Sequence, residues 1–128
     1  MKITTGQTFS RTRTFTREDV ESFGKISGDL GRHHVQPDAQ GRVMLQGLLT
    51  ATLATEVGGS INFLAREMHF EFLRPMWSSD TATCVVHAEK VEARDEKYDS
   101  LSAIFVITNQ HGKEVLKGSV SGVVPCEP

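Results

Sequence analysis

Two hydrophobic periods divide the chain. Between Met44 and Val57 the apolar residues Leu45, Leu48, Leu49, Ala51, Leu53, Ala54 and Val57 recur at helical spacing, with Thr50, Thr52 and Thr55 in the gaps. This predicts a helix, stopped by Gly58-Gly59, that is apolar almost all round and therefore buried. From Met68 the period falls to two, as Met68, Phe70 and Phe72 alternate with His69 and Glu71. Further strands are expected over Thr81 to Val91, Leu101 to Thr108 and Val115 to Val124, the last two flanking a turn at Asn109-Gln110-His111-Gly112. Pro75, the Ser78-Ser79-Asp80 cluster and the run Ala93 to Lys97 supply the breaks. Ahead of all this, Thr16 and Asp19 have the spacing of a capping box, with Phe15 and Val20 as its apolar staple. A first helix carrying Val20, Phe23 and Ile26 then runs to about Gly28, and a loop fills Asp29 to Arg42.

One early helix, one buried helix and four strands predict an α+β domain in which an antiparallel sheet curls round the central helix. Such a sheet leaves edges and an open face, which a homodimer would cover. A length of 128 residues suits a single domain over 1–128. With 14 basic against 16 acidic residues and a net charge of -2, nothing in the charge calls for nucleic acid. The N-terminal Met1-Lys2-Ile3-Thr4-Thr5-Gly6 lacks an apolar run and no segment approaches a membrane span, so a cytoplasmic protein without a membrane partner is expected. Cys84 and Cys126 have no metal-ligand spacing and read as free thiols.

The candidate chemistry lies in Ser27-Gly28-Asp29-Leu30-Gly31-Arg32-His33-His34, a carboxylate five residues before an imidazole, ahead of a helix that starts near Gln46-Gly47. Helix N-termini present unpaired amides, and Gly47 lets a ligand carbonyl approach its N–H. Carboxylate, imidazole and oxyanion donor are the parts needed to add water to a thioester-conjugated alkene, or to remove it. Plainer readings stand beside this one. Asp29 could be a turn-former. His33 and His34 could both be exposed, and Thr55 could bond only a carbonyl one turn back. His69, His87 and His111 read as solvent-facing, Glu56 as an exposed helix end, and no ligand spacing suggests a metal.

Ser27-Gly28-Asp29 with His34, Gln46-Gly47-Leu48-Leu49-Thr50-Ala51, Phe72-Leu73-Arg74-Pro75 and Ser79-Asp80-Thr81 together resemble the motifs of the MaoC-type (R)-specific enoyl-CoA hydratase family. Those motifs read S-G-D-x-N-P-x-H, H-G-M-L-x-A and F-x-x-P-x-x-x-G-D. The resemblance implies a hot-dog fold, a dimer, and a lyase that interconverts 2-enoyl and (R)-3-hydroxyacyl thioesters in fatty acid metabolism. It implies Asp29 and His34 as the catalytic pair, with His34 the base toward water. Gly47 would give the oxyanion amide, beside Gln46, and Thr55 a supporting hydrogen bond. Coenzyme A or acyl carrier protein would arrive as part of the substrate, with no separate cofactor. The chain departs from the family at Gly31-Arg32, where Asn-Pro is usual, and at Gln46, where His is usual. Its segment between His34 and Gly47 is also several residues shorter. These departures keep two rivals in view, a hot-dog thioesterase using Glu56 and a non-catalytic acyl-CoA-binding or assembly subunit.

Overall fold

The structure, a computed structural model, describes residues 2–127. A five-stranded antiparallel sheet, in the order β1-β3-β4-β5-β2, is formed by β1 (Thr8–Thr14), β2 (Leu64–Phe72), β3 (Thr81–Ala93), β4 (Tyr98–Thr108) and β5 (Glu114–Pro125). Helix α1 (Arg17–Ser27), a single turn α2 (Arg32–Val35) and α3 (Gly47–Ser60) fill the stretch between the first two strands. The concave face of the sheet takes α3. Leu49, Leu53 and Val57 are buried with Phe105, Ile107, Val115 and Leu116 in one core cluster. Phe70 meets Phe105 edge-on at 5.8 Å between ring centroids. Strand β2 seats closely on β5 because Gly118 and Gly122 leave no room for a Cβ beneath the carbonyls of His69 and Leu64.

The α+β expectation holds, with one strand added. Strand β1 reads Thr-Phe-Ser-Arg-Thr-Arg-Thr and carries a single large apolar residue, so its hydrophobic alternation is faint. It is an edge strand held by its ladder to β3 and by Thr12–Thr83 and Thr14–Thr81 hydroxyl pairs at 3.1 and 2.7 Å. Helix α1 starts where the capping box places it: the Asp19 N–H donates to Thr16 Oγ1, and the Thr16 N–H to Asp19 Oδ2. It stops at Gly28, whose φ of 76° is the left-handed cap.

Helix α3 starts where the sequence places it, near Gln46-Gly47, and departs from expectation at its C-terminal end and in its burial. It begins at Gly47, because Met44 and Leu45 are drawn into extended pairing with Met76 and Trp77, and it runs through both glycines to Ser60. It is not wrapped all round, since Leu48 is 55% exposed and Thr55 and Glu56 also face outward. The sheet of one chain therefore covers one side of the helix only. No helix among the described residues is long and apolar enough to cross a membrane.

Candidate active site

The geometry starts at the end of α1. Ser27 Oγ donates to the Phe23 carbonyl at 2.7 Å and accepts the Asp29 N–H at 3.0 Å, so Ser-Gly-Asp works as one unit. Serine closes the last turn, glycine reverses the chain, and aspartate leaves it held by its own amide. The chain then enters α2, where the His34 N–H donates to the Gly31 carbonyl. Gly31 lies under both imidazoles, since a Cβ there would meet His33 Cε1 at 3.1 Å and His34 Cδ2 at 3.6 Å.

His34 is 8% exposed and its ring is pinned at one end: Nδ1 lies 2.7 Å from the Met44 carbonyl oxygen. A carbonyl only accepts, so Nδ1 carries the hydrogen, and the neutral ring presents Nε2 as a lone pair. Met44 is itself fixed, its N–H donating to the His33 carbonyl. Nε2 faces Asp29 Oδ2 at 3.5 Å, and the Asp29 side chain is about half exposed. That separation is long for a direct hydrogen bond, and a water beside the pair would reach both acceptors at ~2.8 Å.

His34 and Gly47 line the same cleft, of about 280 Å³, together with Thr50, Phe72, Arg74 and Met76. Asp29 flanks this cleft without being part of its wall. The Gly47 N–H, first of α3, has no hydrogen-bond partner among the described residues. The Phe72 ring packs closely on this glycine, since a Cβ there would lie 2.7 Å from Phe72 Cε1 and the ring would have to turn aside. Arg74 donates from Nη1 to the Glu114 carbonyl, fixing the rim.

The sequence-derived residues thus fall into two groups. Asp29, His34 and Gly47 come together. Gln46 lies behind the cleft rather than in its wall, and its Nε2 donates to the Val20 carbonyl at 3.0 Å and the Asp29 carbonyl at 3.4 Å. Its amide is an internal tether between α1 and the Asp29 loop. Thr55 is away from the pair: its hydroxyl donates to the Thr52 carbonyl, and it lines a separate apolar cavity of about 160 Å³ with Gly58, Met68 and Val120. Eight residues along α3 carry it ~12 Å from Gly47. Glu56 is exposed and ion-paired with Arg11 at 3.8 Å, outside the cleft. Thr50, buried in the cleft wall, was not anticipated; its position one turn after Gly47 was the available signal. Trp77 stacks under the Arg42 guanidinium at 4.5 Å, outside the cleft wall.

No protein-family model and no curated protein sequence matches the chain. Solved structures do. The unliganded R-hydratase PhaJ1 from Pseudomonas aeruginosa superposes with a TM-score of 0.84 at 17% identity, over 98% of this chain and 84% of that one. An (R)-hydratase from A. caviae involved in PHA biosynthesis gives 0.78 at 21% identity, over 95% and 96%. A MaoC-like dehydratase from Rhodospirillum rubrum gives 0.76 at 12% identity, over 98% and 95%. The chain therefore has the hot-dog fold found in (R)-hydratases and MaoC-like dehydratases.

Proposed function

We propose that the protein is a hydratase or dehydratase that interconverts 2-enoyl and (R)-3-hydroxyacyl thioesters carried on coenzyme A or acyl carrier protein. The observation that carries this reading is the pinned His34 ring, whose free Nε2 faces Asp29 Oδ2 at 3.5 Å beside the amide end of α3. In the hydration direction, water held between Asp29 and His34 adds its oxygen to C3 as His34 Nε2 takes one of its protons. Charge moving onto the thioester oxygen is met by the Gly47 N–H, and a proton returned from the pair to C2 completes the addition. The pair ends with the protons it began with, so no redox cofactor takes part. The apolar cavity between α3 and the sheet is of a kind that suits an acyl chain.

The free edge of β2 and the uncovered side of α3, with Leu48, Leu64, Met68 and Phe72 exposed, support a homodimer that joins two sheets edge to edge. The thioesterase rival is the weaker reading because Glu56 is engaged by Arg11 outside the cleft. One assay separates them: enoyl-CoA is incubated with the protein while enone absorbance and free thiol are both followed. Loss of the enone without thiol release is expected. Thiol release that survives Asp29→Asn and is abolished by Glu56→Gln would replace this proposal with hydrolysis.

A further inference from the structure

Gln46 is 1% exposed, and its Oε1 is buried without a hydrogen-bond partner among the described residues. The orientation of the amide is not arbitrary. Nε2 faces two carbonyl oxygens, Val20 O and Asp29 O, and turning the group over would set Oε1 against both. The lone oxygen follows from placing the NH2 where it is. A buried acceptor without a donor disfavours the folded state, and an apolar side chain of similar volume, such as Met, would remove that penalty. Neither of the bonds gained is needed to complete a helix: Gln46 stands at the N-cap of α3 but makes no side-chain cap bond, and Val20 O lies within α1.

What the amide accomplishes is visible at Asp29. The main-chain N–H of this exposed residue is held by Ser27 Oγ at 3.0 Å, and its carbonyl is met by Gln46 Nε2 at 3.4 Å, the longer of that amide's two bonds, so both of its backbone polar groups have a partner, one in α1 and one at the start of α3. Gly24 packs against this amide, since a Cβ there would lie 3.4 Å from Gln46 Nε2, in ordinary contact, and 2.8 Å from the tip of the exposed Leu30 side chain.

We infer that Gln46 is a positioning residue: its amide fixes the Asp29 main chain relative to α3 and so sets the separation between the Asp29 carboxylate and the His34 ring. The inference rests on the reading of Asp29 and His34 as the proton-transfer pair. The test compares wild type with Gln46→Met, which keeps volume and removes the donor, and Gln46→His, which restores a ring N–H. Melting temperature, kcat and KM for crotonyl-CoA are measured, and the wild-type and Gln46→Met crystal structures are solved. Gln46→Met is expected to melt at or above wild type, with KM little changed and kcat down roughly 10²-fold, the loss that an ångström-scale misplacement brings. Gln46→His is expected to recover part of kcat. Wild-type kcat in Gln46→Met overturns the inference; so does a Gln46→Met chain that does not fold, or an equal loss in Gln46→His, since either outcome marks a structural role. If wild type itself does not hydrate enoyl-CoA, the functional reading fails, and the crystal structures decide the inference alone. An Asp29–His34 separation that lengthens in Gln46→Met sustains it; an unchanged one overturns it.

Discussion

His34 shows how much of a residue's chemistry is decided by atoms it does not share. In the proposed reaction its use as a base depends on the Met44 carbonyl, which accepts the Nδ1–H hydrogen bond and so leaves Nε2 open toward Asp29. The spacing from Asp29 to His34 was legible in the sequence because both lie in one short turn. Met44 was not, since its place beside His34 is set by its bond to the His33 carbonyl and by pairing with Trp77 in a distant segment. The same distinction covers Thr55, whose place on the helix was legible but whose distance from the pair follows from the direction of α3. One prediction belongs at this scale. Cys84 is completely buried, and burial pushes its thiol up to about 12. A thiol reagent is expected to leave Cys84 unmodified in the native protein and to label it only on unfolding, a difference read by mass spectrometry with and without denaturant. Fast native labelling of Cys84 would mean that the core around it opens.

At the scale of elements, α1 was readable to the residue because its determinants are local: a capping box at one end and a left-handed glycine at the other. Thr16→Ala is expected to cost about 1 kcal/mol, seen as a shift of the urea midpoint with an unchanged slope. Helix α3 was readable at its start, near Gln46-Gly47, but not at its end, because it continues through Gly58 and Gly59 to Ser60. Strand β1 was missed because its stability comes from the partner strand rather than from its own pattern. The loop between α2 and α3 is braced. Asp38 accepts from the Arg42 and Gln40 N–H groups and from the Arg42 guanidinium, and Arg42 lies over Trp77. The Arg42 backbone N–H is the main reason the Asp38 carboxyl sits below its ordinary range, a pull that slight desolvation opposes. Asp38→Ala is expected to raise protease cleavage within 38–42 without unfolding the domain; a cleavage rate equal to wild type would show that the brace is idle.

For the whole molecule, the lowered carboxyl of Asp38 is joined by that of Asp95, held down chiefly by the Tyr98 and Lys97 N–H groups. A third belongs to Asp19, where burial pushes upward but the Thr16 N–H and Arg13 prevail. Groups with depressed folded-state values stabilise the fold above their ordinary carboxylate range, and the contribution fades as pH falls through the folded values. Melting temperature is therefore expected to hold level from neutral pH down to the ordinary range and to drop below it, less steeply in Asp38→Ala. A level curve through the acid range would contradict this. The exposed β2 edge and open side of α3 make assembly a property of the whole chain, and light scattering at micromolar concentration is expected to give twice the chain mass. A monomer would leave the apolar side of α3 in water and remove the support for an edge-to-edge dimer.

The central claim is that Asp29 and His34 move protons for the addition of water to an enoyl thioester. Its most direct test is the loss of enone absorbance from crotonyl-CoA, and from longer 2-enoyl-CoAs, with wild type, Asp29→Asn and His34→Ala of verified fold. Hydration by wild type that falls by about 10²–10⁴-fold in each variant is the predicted result. Wild type inert on every chain length, or either variant as active as wild type, would contradict it.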